Sequence, residues 1–240
     1  MNTQSNTYTF LYAAIMVVIV AAVLSFTSLT LKDRQNMNKE IEKKQDILKA
    51  VNVASTPANA VELYDKYIVE AIIVNSEGEV KSNDKAETFK VDLKHENKKD
   101  LSERNLPVFI FNDTKVGEKL IIPVLGKGMW GPVWGFISME PDRKTIFGAT
   151  FDHQGETPGL GAEISKAEFQ KPFTGKQIFD ESGVFTSLKL VKGTASTNPH
   201  AFDAVSGGTV TSKGLEAMLQ DNLSSYEKFL KSTKQDKDEQ

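Results

Sequence analysis

The stretch FLYAAIMVVIVAAVLSFTSLTL, residues 10–31, precedes the first charged side chain of the sequence, Lys32. A helix needs roughly 20 apolar residues to cross a hydrocarbon core about 30 Å thick, so this run reads as one transmembrane span. It is longer than the apolar region of a cleaved signal peptide, and its N-terminal flank, residues 1–9, holds no Lys or Arg. Both features argue for an uncleaved anchor. Lys32, Arg34, Lys39, Lys43 and Lys44 follow the span, interleaved with Asp33, Glu40, Glu42 and Asp46. Taken alone, this charge distribution puts the bulk of the chain in the cytoplasm.

Beyond the anchor, Met37, Ile41, Leu48 and Val51 recur with helical periodicity and predict a helical stalk and linker over 32–66. Within it Thr56-Pro57 reads as a fresh helix start, a cap residue followed by proline at the first helical position. Runs rich in Ile, Val and Phe at 67–74, 106–111, 120–125, 133–139, 145–151 and 184–191 predict strands. Asn75-Ser76-Glu77-Gly78 marks a hairpin turn after the first, and Pro141-Asp142-Arg143 joins 133–139 to 145–151. A closing helix over 212–230 presents Leu215, Met218, Leu219, Leu223, Tyr226 and Phe229 on one face, followed by a polar tail at 231–240. With no internal repeat and no long linker, the expectation is one α+β domain over 67–230, with a mainly antiparallel sheet, behind a stalk and a single anchor.

Composition removes whole classes of function. The 240 residues carry 29 basic and 32 acidic side chains, a net charge of -3, which argues against a nucleic-acid partner. The absence of cysteine removes thiolate zinc sites, thiolate iron–sulfur clusters, cysteine nucleophiles and disulfides together. Histidine supplies only His95, His153 and His200. His153 and Glu156 have the spacing of two metal ligands on a helix, but Gly155 and Pro158 argue against a helix there, and no metal is expected. No serine sits in a G-x-S-x-G elbow, and neither a G-x-x-x-x-G-K-[ST] phosphate loop nor a G-x-G-x-x-G dinucleotide turn occurs.

Three glycine-bearing segments remain. GKGMWGP, residues 126–132, sets Trp130 among glycines, where a backbone can approach a flat ligand. HQGETPGLG, residues 153–161, is dense in turn formers and hydrogen-bonding groups. DAVSGGTVTS, residues 203–212, leads straight into the closing helix, so a group attached there would meet free N–H groups and the positive end of the helix dipole.

In this order, behind an N-terminal anchor, GKGMWGPVWG, HQGETPGLGAEI and DAVSGGTVTS resemble the covalent FMN-binding domain family over nearly the whole chain. Within it the M-W-G-P-V-W-G segment is more similar to the C subunits of sodium-translocating NADH:quinone reductases; the G subunits of Rnf ferredoxin:NAD complexes are the alternative. A stand-alone extracytoplasmic flavin reductase is an alternative of another class. The resemblance implies FMN held through its phosphate on Thr209, the threonine that ends a D-x-x-[ST]-G-A-T pattern read by a dedicated flavin transferase, with Asp203, Ser206 and Gly207 in register. Gly208 stands where the pattern has alanine, and Thr211 is out of register.

What the resemblance implies for the remaining site follows the same segments. N–H groups around Val210, Thr211 and Ser212 help hold the phosphate, beside Ser206, Gly207 and Gly208. Trp130 and the loop of Glu156, Thr157, Gly159 and Leu160 flank the isoalloxazine, with Glu156 or Thr157 on its polar edge and Leu160 on its apolar face. The chain would relay electrons from a membrane-embedded iron–sulfur centre to the FMN of the B subunit. It would do so within a six-subunit complex whose other members are the A, B, D, E and F subunits, chiefly beside B, D and E. It would have no complete catalytic site of its own. The family also implies a bacterial inner-membrane location with the FMN domain facing the periplasm, against the charge count above.

Overall fold

The computed structural model describes residues 5–232; residues 233–240 of the expected tail and residues 1–4 of the expected N-terminal flank lie outside the described residues. Two compact units divide at residue 43. The first is helical from Asn6 onward and belongs to α1 (Asn6–Ala50), a single helix of 45 residues. Among the described residues it is the one helix long and apolar enough to cross a membrane, and the side chains of residues 10–31 are all exposed. An apolar surface of that extent is unstable in water and suits a lipid environment.

The second unit begins at Lys44, inside the last turns of α1. Asn52, at φ 59, ends the helix: the Val53 N–H donates to the Leu48 carbonyl at 3.0 Å and the Asn52 N–H to that of Lys49 at 2.9 Å. This is a Schellman cap with asparagine in the left-handed position. The next helix, α2 (Ala60–Tyr67), starts later than Thr56-Pro57 suggests. Thr56 to Asn59 instead form a turn, closed by bonds from the Thr56 N–H and hydroxyl to the Asn59 side-chain oxygen.

A six-stranded antiparallel sheet organises this unit. Its strands are β1 (Ile68–Val74), β2 (Val80–Ser82), β3 (Leu106–Asp113), β4 (Gly117–Lys127), β5 (Pro132–Met139) and β6 (Ile146–His153), in spatial order β2-β1-β3-β4-β5-β6. Short helices α3 (Lys85–Lys90) and α4 (Leu93–Glu96) fill the β2–β3 connection, and α5 (Ala167–Gln170) follows β6. Both faces of the sheet are buried, so successive strand residues enter different cores. Val108 and Ile110 pack on one side and Phe109 and Phe111 on the other. This two-sided burial is why the strands read as nearly unbroken apolar runs.

On one face lie Ile47, Leu48, Ala50 and Val51 from the end of α1, with Tyr64 of α2. The Ser138 hydroxyl bonds the carbonyls of Ala50 and Gly148, locking the helix end onto β5 and β6. The other face is covered by α6 (Thr209–Ser225) and α7 (Glu227–Lys231). Leu215, Met218, Leu219, Leu223, Tyr226 and Phe229 are all buried, as their periodicity predicts. The helix differs in its ends: it starts at Thr209 and breaks at Tyr226, whose hydroxyl donates to the Pro107 carbonyl at 3.0 Å.

The predicted strand over 184–191 is a correction. Only β7 (Lys189–Val191) forms, paired in parallel with β8 (Ala201–Asp203). Ser187 adopts φ 55, which an extended strand cannot contain. Phe202 of β8 stacks among Phe169 and Phe173, which also pack on Phe151 of β6, and so the chain after β8 is delivered to the sheet end where β6 finishes.

A Cβ on Gly148 would lie 2.4 Å from the Ala50 carbonyl oxygen. Gly148→Ala should therefore destabilise the protein by about 1–3 kcal/mol, as overpacking does, and Ser138→Ala by a similar amount through loss of the one hydroxyl hydrogen that the two carbonyls share. Urea denaturation of the detergent-solubilised protein measures both; unchanged midpoints would show that the helix end is not held through this contact.

Candidate functional site

The β4–β5 loop, the segment after β6 and the start of α6 lie at the same end of the sheet. They meet at Glu156. The Trp130 N–H donates to its Oε1 at 2.9 Å and the Thr211 hydroxyl donates to its Oε2 at 2.6 Å. Its own N–H donates to His153 Nδ1 at 3.2 Å. Only 5 % of Glu156 is exposed, so these donors replace the water a buried carboxylate would otherwise need. The neighbouring backbone must come very close. A Cβ at Gly128 would stand 2.4 Å from Oε1, and one at Gly161 would stand 2.3 Å from Oε2 and 2.4 Å from Thr211 Oγ1.

The first turn of α6 divides its residues sharply. Thr209 and Val210 are exposed, whereas Thr211 and Ser212 are buried. Ser212 fastens the preceding loop: its hydroxyl accepts from the Val205 N–H at 3.0 Å and donates to the Gly208 carbonyl at 2.9 Å. Gly208 occupies the N-cap position with no side-chain cap, and no acidic residue lies in the first turn. Among the described residues, no acceptor takes the N–H of Thr209, Val210 or Thr211. An exposed hydroxyl thus stands beside unpaired N–H donors at the positive end of a 17-residue helix.

The other predicted site residues fall around this centre. Trp130 is 66 % exposed and Leu160 42 % exposed, and Leu160 Cδ2 packs directly over Gly207. Thr157 is exposed, while its carbonyl accepts from the N–H groups of Leu160 and Ala162. Gly159, at φ 77, donates its N–H to Glu163. The bond from the Lys166 ammonium, helped by that N–H, holds the Glu163 carboxyl below the usual carboxylate range and raises Lys166. Gly159, Glu163, Lys166, Phe169, Val205 and Ser206 line an open cleft of about 780 Å³ beside the loop that leads into α6. Asp203 stands apart, exposed at the end of β8, where its carboxylate accepts from the N–H groups of Thr194 and Ala195. Among the described residues, no group of three or more His, Asp or Glu could hold a metal.

Sequence reasoning named Glu156 and Thr211 without joining them, and it missed the clamp made by the Ser212 side chain. Periodicity carried a signal for Ser212, which lies three and seven residues before Leu215 and Leu219 on the buried face.

A model of the FMN-binding domain matches residues 128–224, which contain all three loops and most of α6. The C subunit of the Na(+)-translocating NADH-quinone reductase of Haemophilus ducreyi is 30% identical over 229 residues, covering 90% of this chain and 88% of that protein. The chain belongs to this C-subunit family. The crystal structure of the C subunit of the Na(+)-translocating NADH-quinone reductase from Parabacteroides distasonis superposes with a TM-score of 0.76 at 43% identity, covering 85% of this chain and 98% of that one. Shewanella oneidensis NqrC superposes with a TM-score of 0.67 at 27% identity, covering 80% and 97%. The quinone-reductase branch expected from M-W-G-P-V-W-G is thus the one to which the chain belongs, and the Rnf alternative gives way to it. The helix-on-sheet architecture of the C-subunit family matches the expected α+β class.

The family pattern's alanine would be tight at position 208 here. A Cβ on Gly208 would lie 3.0 Å from two Val205 side-chain atoms, which are themselves buried. Gly208→Ala should cost about 1 kcal/mol of stability, and pairing it with Val205→Ala, which removes Cγ1 but keeps Cβ, should recover part of that cost. Gly161→Ala, driven into the Glu156–Thr211 pair, should cost more, about 2–3 kcal/mol. Denaturation midpoints of the four variants provide the check; a Gly161→Ala protein as stable as the parent would contradict the packing around Glu156.

Proposed function

We propose that this chain is the flavin-carrying electron-relay subunit of a Na(+)-translocating NADH-quinone reductase, holding FMN through a phosphoester to Thr209. The observation that carries the reading is the contrast between two threonines in one helical turn. Thr209 is exposed beside unpaired N–H groups, whereas the Thr211 hydroxyl is buried and committed to Glu156. The N–H groups of Thr209, Val210 and Thr211 suit a phosphate there, since their dipole favours negative charge and no side chain competes for them.

Bound flavin supplies a carrier that accepts and returns electrons; the protein's part is to place it and to shape its surroundings. Trp130 and Leu160 present exposed apolar surface to cover the ring. Thr157, rather than the occupied Glu156, is the side chain with a hydroxyl available for its polar edge. A covalent link keeps the effective concentration of the cofactor high where a lost molecule would not be replaced.

The rest of the reading concerns the membrane. Residues 10–31 anchor the chain as a single pass and contain no ionisable side chain but tyrosine, so sodium passage belongs to partner subunits. Electrons enter from an iron–sulfur centre held by neighbouring subunits and leave to the FMN of the B subunit. The FMN domain faces the periplasm. The five Lys and Arg residues that follow the span, against none before it, oppose this, a bias that partner subunits or the insertion pathway must overcome.

When the protein is produced with the flavin transferase, denatured and electrophoresed, flavin fluorescence should travel with it. Thr209→Ala should abolish that fluorescence and Thr211→Val should retain it; covalent flavin persisting in Thr209→Ala would sink the assignment. Because the chain has no cysteine, Lys98→Cys in the exposed β2–β3 connection supplies a single reporter of orientation. A maleimide that crosses the outer but not the inner membrane should label it in intact cells. Labelling only after lysis would place the domain in the cytoplasm.

A further inference from the structure

We propose that Glu156 is a positioning residue: its carboxylate does not touch the flavin but sets the Trp130 peptide and the first turn of α6 in fixed register. The inference rests on the reading of Thr209 as the flavin's attachment point. Its basis is the pattern of donors. Both carboxylate oxygens accept from the protein, one from a backbone N–H 26 residues earlier in the chain and the other from a hydroxyl 55 residues later. The residue is buried, and its two oxygens occupy the space that a Cβ on Gly128 or Gly161 would need.

The β4–β5 loop needs such a tether. The Gly128 N–H bonds the Gly131 carbonyl, which closes the loop on itself, and the Gln154 N–H bonds Pro132 at its base. Met129 and Trp130 are both more than half exposed, so packing does little to hold the tip. The bond from the Trp130 N–H to Glu156 therefore ties the tip to the rest of the fold. At the other end, Thr211 lies two residues from Thr209 in the same turn, so Glu156 spans the distance between the aromatic side chain and the attachment point. A carboxylate suits this task because it only accepts, and both partners donate.

Glutamine is nearly isosteric and can keep the arrangement. Its oxygen can accept from the Trp130 N–H while its amide donates to the Thr211 oxygen. Alanine leaves the Trp130 N–H and the buried Thr211 hydroxyl without the acceptor that joins them. The test uses the full chain, made with the flavin transferase and purified in detergent, as wild type, Glu156→Ala, Glu156→Gln, Thr211→Val and Thr211→Ser. Intact mass reports whether flavin is attached. Visible circular dichroism of the flavin, and quenching of its fluorescence by iodide, report how it is held.

The expected result is flavin on every variant, with Glu156→Ala and Thr211→Val showing a collapsed visible dichroism and a several-fold larger iodide quenching constant. Glu156→Gln and Thr211→Ser should stay within about twofold of wild type. A folded Glu156→Ala protein whose flavin signals match wild type would overturn the proposal. So would Glu156→Gln being as altered as Glu156→Ala, because position rather than charge is claimed. Should Glu156→Ala fail to fold, the threonine pair decides: Thr211→Val behaving like Thr211→Ser overturns the proposal, and a difference between them supports it. Wild type without flavin mass is a separate outcome and refutes the attachment at Thr209 instead.

Discussion

A carboxylate taken out of water must find donors, and at Glu156 that requirement is met by a peptide N–H from one loop and a hydroxyl from a distant helix. The consequences extend in both directions along the chain. Gly128 and Gly161 must lack side chains, because the carboxylate occupies the space a Cβ would need. Thr211 must turn inward, which leaves Thr209 as the exposed threonine of the turn. Ser212, one residue on, then closes the preceding loop against the helix through its bonds to Val205 and Gly208. Three glycine-bearing segments that look like ordinary turns singly are drawn together because they share one buried carboxyl group.

The sheet beneath this site is shaped by a different demand, burial on both faces. One face receives α6, whose Met218 packs against Gly126 and whose Asn222 side chain exchanges hydrogen bonds with the Leu125 backbone. The other face receives Ile47, Leu48, Ala50 and Val51 from the last turn of α1 and the cap after it. The long helix that begins with the exposed apolar run therefore ends as part of the core. Fully burying each large aliphatic side chain contributes about 1.5–3 kcal/mol, so this helix end is an integral part of the domain rather than a loose connector.

How much of this was legible varied with the range of the interaction. Local patterns served well: strands within a residue or two at β1, β3, β5 and β6, the turns at Asn75–Gly78 and around Arg143, and the apolar face of α6. They misled where a local signal had a competitor. At Thr56-Pro57 the Asn59 side chain captured the turn and delayed the helix. Over 184–191 a positive φ at Ser187 broke an apolar run that had every compositional mark of a strand. Asp203, expected to serve as a recognition residue, also has a structural task in capping the Thr194–Ala195 turn, which no spacing announces.

The sequence by itself determined the long apolar N-terminal run, the α+β class and the helix that follows the glycine-bearing segment 203–212, because each depends on residues near one another along the chain or on composition. Only the tertiary structure decided that Glu156 points inward, that Thr211 is withdrawn while Thr209 is exposed, and that the end of α1 completes the core. Those outcomes turn on the desolvation of single groups, and which groups lose their water is settled by segments that meet in space across dozens of residues.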